Sequence, residues 1–326
     1  MATTLLSGQV FVGLDIGGTK VLGVLVDGEA RVLHEVRLPT AKGCDGVVAT
    51  AANAVVLLLH ATGMSMTALG AVGMGVPGVV NPENGQVQHA VNLGIDGSVA
   101  LAPLLSARLG GVPVRADNDL NAAALGAAHL LGSRSGSSYS EGRFADLAFL
   151  ALGTGVAAGL VLDGVLRRGT KGAAGEIGHI PVVADGLACP CGQRGCLEQY
   201  ASGAALALAW PSTNGRPDAA ELFDAAKAGD PDAVRIRDTF ARAVASAVRL
   251  LVLTCDVGRV VIGGGVSAVG GPLLDGVQAA LRDQAAGSSF LRSMDMAGRV
   301  ELAPGDVPVA AIGAALLGAA GLQENV

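Results

Sequence analysis

Gly172-Ala173-Ala174-Gly175-Glu176-Ile177-Gly178-His179, continued by Cys189-Pro190-Cys191-Gly192-Gln193-Arg194-Gly195-Cys196-Leu197-Glu198, holds the densest chemistry in the chain. Three of the five cysteines, a histidine and two glutamates fall inside this glycine-rich stretch. Cys-x-Cys-x4-Cys behind a histidine offers three thiolates and an imidazole, the donor set of a closed tetrahedral zinc site. Gly192 and Gly195 permit the tight turns that bring Cys191 and Cys196 onto one ion. The alternatives are buried free cysteines, which behave as small hydrophobes, or a disulfide. Core cysteines rarely gather in a glycine-rich loop. The start of the chain, Met1 to Gly8, has neither a basic n-region nor a long apolar run, so no secretory signal argues for an oxidising compartment.

The rest of the composition sets limits. With 326 residues the chain is long enough for one two-lobed unit or two domains. Hydrophobic residues make up 51% and charged ones 15%, which excludes a disordered chain. Aromatics at 3% and 49 glycines predict a core of Ala, Val, Leu and Gly packed close to the backbone. A net charge of -6 gives no bulk attraction to nucleic acid. The uncharged stretch between Asp45 and Glu83 is interrupted by Asn53, His60, Gly63, Ser65 and Pro77, short of the roughly 20 continuous apolar residues that a span requires. The expectation is a cytoplasmic protein that works without a membrane or nucleic-acid partner.

Two segments read as the same hairpin. Val10–Leu14 and Val21–Val26 flank Asp15-Ile16-Gly17-Gly18-Thr19-Lys20; Leu147–Leu152 and Val156–Leu162 flank Gly153-Thr154-Gly155. At a constant offset of 136, Gly17 falls on Gly153, Gly23 on Gly159, Asp27 on Asp163 and Gly28 on Gly164. A repeat of this kind predicts two similar lobes. Backbone N–H groups of such turns form anion-binding nests, and a threonine hydroxyl adds a donor. Two of them suit the phosphates of a nucleotide, while the pattern G-x-x-x-x-G-K-[ST] does not occur. Gly73-x-Gly75-x-x-Gly78 imitates a dinucleotide fingerprint, but Pro77 and Asn81-Pro82-Glu83-Asn84-Gly85 make turns where that fingerprint needs a helix. Asp117-Asn118-Asp119-Leu120-Asn121 lies between a strand, Val112–Ala116, and an Ala-rich helix, Ala122–Leu131. It either caps the helix or projects functional groups. Ser133–Gly142 reads as a surface loop. Gln199–Trp210, Asp218–Ala228 and Pro231–Leu253 read as helices, Val257–Ile262 as a strand entering Gly263-Gly264-Gly265, and Val307–Gly321 as a final helix.

G-E-I-G-H followed by C-x-C-G-x-x-G-C-x-E, together with the D-x-G-G-T turn at Asp15, resembles the ROK family of bacterial sugar kinases and related repressors. The resemblance implies an α/β, two-lobed actin/hexokinase-like fold, a duplicated ribonuclease H-like architecture with a structural zinc loop. It implies a small N-terminal lobe over 1–120, joined by a C-terminal helix near 305–326, and a large lobe over 121–304 carrying the zinc loop. Zinc then falls on His179, Cys189, Cys191 and Cys196. Sugar contacts fall on Asn92, Asn118, Asp119, Glu176, His179 and Glu198, with Asp119 as general base and Asp117 in place of the family's usual Glu. ATP with Mg²⁺ falls on Asp15, Gly17, Gly18, Thr19 and Lys20 and on Gly153, Thr154 and Gly155, with Gly263, Gly264 and Gly265 toward the adenosine end. The implied reaction is phosphorylation of a hexose 6-hydroxyl, glucose first. N-acetylglucosamine, N-acetylmannosamine, fructose and allose are the alternatives, because Ile95-Asp96 stands where many family glucokinases carry a tryptophan. A sugar-sensing regulator is disfavoured, because the first turn begins at Asp15 and leaves no room for a DNA-binding domain ahead of it. The implied partners are a small-molecule sugar and a nucleotide, and the implied assembly is a homodimer or homotetramer.

Overall fold

A computed structural model describes residues 9–135 and 146–323. Contacts divide the chain into two units, Met1–Gly142 with Gly164–Ala174 and Asp306–Val326, and Arg143–Asp163 with Gly175–Gly305.

The first unit is built on a sheet in the order β3-β2-β1-β4-β7. Its strands are β1 (Val10–Ile16), β2 (Lys20–Val26), β3 (Val32–Pro39), β4 (Leu69–Val76) and β7 (Val114–Asn118). β1 pairs antiparallel with β2 and parallel with β4, and β4 pairs parallel with β7. β1 and β4 are almost wholly buried, as their continuous apolar runs require of central parallel strands. One face is covered by α1 (Gly43–Ala61) and α2 (Leu101–Arg108), whose Val47, Val55, Leu58 and Leu105 pack on Val12, Leu14, Ile16 and Leu25. α1 is apolar and long enough to cross a membrane by length and composition, but half of its apolar window is buried and it serves as a core helix. A short hairpin, β5 (Val79–Asn81) with β6 (Gln86–Gln88), lies between β4 and α2 in the chain. The Gly73-x-Gly75-x-x-Gly78 segment is therefore a strand running into a turn and this hairpin, and no helix opens there.

The opposite face is covered by α10 (Val309–Gln323), flanked by α3 (Asp119–Ser135). Here the backbones touch. A Cβ on Gly13 would sit 1.9 Å from the Ala311 carbonyl oxygen, and one on Gly73 would sit 1.7 Å from that of Ala314. α3 and α10 meet in the same way, with Gly126 against the Val309 carbonyl and Gly313 against that of Ala122. These contacts hold α3 in the first unit and correct the boundary expected at residue 120, because α3 has its packing surface on α10 and β4. Of the surface loop expected at Ser133–Gly142, residues 133–135 belong to the helix, and 136–142 lie outside the described residues.

The second unit contains β8 (Leu147–Leu152), β9 (Val156–Leu162), β11 (Arg259–Gly263) and β12 (Val300–Leu302) in the order β9-β8-β11-β12. β8 is antiparallel to β9 and parallel to β11, which is parallel to β12. This repeats β2-β1-β4-β7 in order and sense, so the duplicated hairpin seen in the sequence is the seed of a duplicated half-sheet. Both connectors have three residues, 17–19 and 153–155, which preserves the offset of 136. The two-residue strand β10 (Val165–Leu166) follows β9 in the chain. α4 (Glu198–Ala201) and α5 (Gly203–Ala209) replace the single helix expected over 199–210. The break is at buried Ser202, whose side chain accepts the Ala205 N–H and caps α5. α6 (Asp218–Lys227), α7 (Pro231–Cys255), α8 (Gly271–Ala285) and α9 (Ser289–Ser293) complete the unit, with Phe223, Phe240, Val248, Leu251 and Leu273 packed on Leu150, Leu152 and Ile262.

Gly73→Ala tests the backbone contact directly. A methyl group cannot fit without moving α10, so a loss of about 3 kcal/mol is expected in denaturant unfolding. A change within about 0.5 kcal/mol, the range of ordinary surface substitutions, contradicts this packing.

Candidate active site

In the first unit, β1 delivers Asp15 to the mouth of the first turn. The turn closes with the Gly17 N–H donating to the Lys20 carbonyl at 2.9 Å. Thr40, from the end of β3, holds it: its hydroxyl donates to the Gly17 carbonyl at 2.7 Å and its N–H to the Thr19 carbonyl at 3.1 Å. The Lys42 ammonium donates to the carbonyls of Gly18 and Asn92. Asn92 is exposed on a single turn of helix, and a Cβ on Gly18 would lie 2.9 Å from its carbonyl. The diglycine turn and Asn92 are therefore packed together. Ile95 is 3% exposed and sits in the core.

Asp117 and Asn118 end β7, and Asp119 begins α3. The capping reading of this segment is seen directly. Asn118 Oδ1 accepts the Leu120 N–H at 2.9 Å, which caps the helix, while Nδ2 donates to the Gly78 carbonyl at 3.1 Å. Asp117 is 2% exposed and accepts from the Asn121 amide at 2.7 Å and from Arg168 Nε and Nη2, each at 2.7 Å. Sequence reasoning missed Arg168, which lies 51 residues away with no local signal. Beside these groups a cavity of about 420 Å³ is bordered by Asn81, Glu83, Gln86, Asn118, Arg168 and Lys171. Burial, with the charge of Asp119 adding to it, pushes Asp15 up to about 6, against an opposing pull from Lys20. Asp119 thus lies close enough to Asp15 for the two charges to interact.

In the second unit, Gly175 and Gly178 lie flat on the start of β9. A Cβ on either would collide with the carbonyl of Ala158 or Val156, at 1.8 and 2.0 Å. This presses the G-E-I-G-H turn against β9, leaving Glu176 exposed and His179 half-buried. Glu198 opens α4, and its Oε2 accepts the Val156 N–H at 3.0 Å beneath Gly155, where a side chain would overlap it. The third glycine turn closes on the same strand end, since a Cβ on Gly264 would meet the Leu152 carbonyl at 2.6 Å. Thr154 is exposed at the tip of its turn.

His179, Cys189, Cys191 and Cys196 converge, with all four ligand atoms within 4.8 Å of one another. Cys191 Sγ lies 3.7 Å from Cys196 Sγ, and Cys189 Sγ lies 3.9 Å from His179 Nδ1. Tetrahedral zinc with sulfur at about 2.3 Å spaces its sulfurs about 3.8 Å apart, so the group fits the ion. Gly192 and Gly195 have φ of 93° and 76°, the left-handed backbone that the knuckle needs. The Gln193 side-chain and backbone donors hold the Cys191 thiol down to about 6, whereas burial and the neighbouring sulfurs push Cys196 up to about 12. A divalent cation would remove that conflict. The free-cysteine alternative explains neither the spacing nor the convergence.

Residues 11–320 match the ROK family. The chain belongs to the ROK family. A glucokinase from Streptomyces coelicolor is 37% identical over 226 residues, covering 68% of this chain and 66% of that protein, just under two thirds of its length. An N-acetylmannosamine kinase from Citrobacter koseri is 34% identical over 264 residues, with 80% and 84% covered. The crystal structure of a ROK family glucokinase from Streptomyces griseus, in complex with glucose and AMPPNP, matches with a TM-score of 0.74 at 32% identity, covering 95% of this chain and 99% of that one. The fold read from the ROK motifs is thereby confirmed.

Two outcomes test the geometry. Because the folded-state pKa of Asp15 lies above that of an ordinary carboxylate, its ionised form subtracts stability above about pH 6, and the penalty fades as pH falls toward the unfolded value. In metal-free solution Asp15→Asn should be more stable than the parent by about 2 kcal/mol at pH 8. That gain should shrink through pH 6 toward pH 4. Denaturant melts showing the same difference at pH 8 and pH 4 contradict the cause given. For the metal, purified protein should carry about one zinc per chain, and Cys191→Ser should lose it and become cleavable by protease between residues 180 and 195. A variant that keeps its zinc, or resists protease as the parent does, argues against a metal-held loop.

Proposed function

We propose that this chain is an ATP-dependent sugar kinase that transfers the γ-phosphoryl group to the 6-hydroxyl of a hexose, with glucose preferred. The observation that carries the reading is Asp119 at the start of α3, near enough to Asp15 to raise its pKa, in the same unit as the diglycine turn. A base and an anion-binding turn carried by one unit are what phosphoryl transfer to an alcohol requires. The sugar oxygen attacks the γ-phosphorus, its proton passes to the Asp119 carboxylate, and ADP leaves. Asp15 supplies the hard oxygen donor that suits Mg²⁺, and that ion would neutralise charge on the phosphates.

The other sugar contacts are Asn92 and Asn118 in the first unit and Glu176, His179 and Glu198 in the second. Gly17, Gly18, Thr19 and Lys20, with Gly153, Thr154 and Gly155, hold the phosphates, and Gly263, Gly264 and Gly265 approach the adenosine. AMPPNP in the Streptomyces griseus glucokinase supports ATP as donor. Zinc on His179, Cys189, Cys191 and Cys196 orients the histidine ring and takes no part in the transfer, because its four positions are filled. The enzyme acts in the cytoplasm on small molecules, with neither nucleic acid nor membrane as partner, as a homodimer or homotetramer. A second reading, an N-acetylhexosamine kinase, draws on the Citrobacter koseri relative and on the cavity beside Asn118, which offers room next to a sugar contact.

A panel of glucose, N-acetylglucosamine, N-acetylmannosamine, fructose and allose, with ADP release coupled to a readout, decides among these substrates. Glucose should show the highest kcat/KM; an N-acetylhexosamine well above it promotes the second reading. Asp119→Asn should lower kcat by about a hundredfold or more while the sugar still binds. Near-normal turnover would remove Asp119 from the role of base.

A further inference from the structure

The diglycine turn has almost no stiffness of its own, since two successive glycines leave the backbone free. Beyond the Gly17 N–H to Lys20 carbonyl bond that closes it, its conformation is held from outside by one short connector, residues 40–42. The carbonyl oxygens of Gly17, Gly18 and Thr19 are each held by that connector: Thr40 Oγ1 on Gly17 at 2.7 Å, Lys42 Nζ on Gly18, and the Thr40 N–H on Thr19 at 3.1 Å. A trans peptide is planar, with its C=O and the following N–H pointing opposite ways. Pinning the Gly17 and Gly18 carbonyls toward the connector therefore turns the N–H groups of Gly18 and Thr19 away from it.

Lys42 does something Thr40 does not. Its ammonium also donates to the Asn92 carbonyl, on a turn reached 50 residues later. Gly18 and Asn92 are already in close packing, with 2.9 Å available to a Cβ that is absent. The Asn92 turn is seated on the connector as well: it ends at Gly94, with φ of 71°, where a Cβ would lie 3.3 Å from the Gly43 nitrogen. One cation thus joins the two backbone segments that carry the phosphate turn and Asn92.

We propose that Lys42 is a positioning residue that couples the two substrates: by tying the Gly18 peptide to the Asn92 turn, it makes ordering of one segment order the other. This rests on the sugar-kinase reading. Binding of sugar at Asn92 then tightens nucleotide at the diglycine turn, and nucleotide tightens sugar by the same factor, as linkage requires. A role confined to general stability would change both affinities without touching that factor.

The experiment measures AMPPNP affinity by calorimetry with and without saturating sugar, using the best substrate from the panel, for the parent, Lys42→Met and Lys42→Arg. Lys42→Met keeps the aliphatic stem and removes the donor; Lys42→Arg keeps a donor. In the parent, sugar should tighten AMPPNP by about fivefold or more. That ratio should fall toward one in Lys42→Met and recover substantially in Lys42→Arg, with unfolding midpoints close to the parent's because the side chain is exposed. A parent ratio of one, or a Lys42→Met ratio equal to the parent's, overturns the proposal and leaves the kinase reading standing. Absence of phosphoryl transfer to every sugar in the panel defeats the kinase reading, and the coupling with it.

Discussion

Backbone lying directly on backbone is the constraint from which the first unit follows. Where α10 crosses β1 and β4, and where it crosses α3, glycines leave no side chain between the chains. Such contacts maximise dispersion between close-packed atoms and tolerate no added carbon. They explain how a chain with few aromatics builds a solid core: it brings main chains together instead of filling a gap with rings. They also place α3 against the sheet, and so set the Asp119 carboxylate beside Asp15. Gly75 takes part, since a Cβ there would lie 3.3 Å from the Asp119 Cα.

The same economy shapes the functional turns. Gly178 on Val156, Gly155 on Glu198 and Gly264 on Leu152 each place a loop against a strand end, so the second unit concentrates three loops around the β8–β9 connector. Glu198 joins two of them. It belongs to the segment that follows the cysteine cluster, and its carboxylate is fixed by an N–H of the strand that leaves the Gly153-Thr154-Gly155 turn. The segment just past the cysteine knuckle is thereby tied to the strand that leaves that turn.

Much of this was legible in the sequence because it is local. The hairpins declare themselves by apolar runs around glycine turns, and the convergent Cys/His cluster by donor chemistry within a single stretch. The repeat pointed to two similar lobes, though not to the order of their strands. What was not legible acts over distance. Arg168 neutralises Asp117 across 51 residues and Lys42 reaches Asn92 across 50, and no spacing rule links either pair. The expected boundary at 120 failed because the partner of α3 is a helix that begins at Val309. β3 drew no notice because it is largely exposed and lacks a buried alternating face. Ile95, singled out for its place in a motif, packs in the core, a burial that the motif did not reveal.

The stitching of Arg168 to Asp117 has a consequence for how the chain is threaded. The arm Gly164–Ala174 belongs with the first unit although it is flanked in sequence by the second, and Asp306–Val326 returns to the first unit again. The polypeptide therefore passes from one unit to the other at 142/143, 163/164, 174/175 and 305/306. Four passages mean that no single scission yields an intact half. A fragment ending at residue 142 would lack both the arginine for its buried carboxylate and the helix that closes its sheet. The halves resemble one another in architecture yet are not modules in tandem, and shuffling them as such would demand discontinuous exchanges.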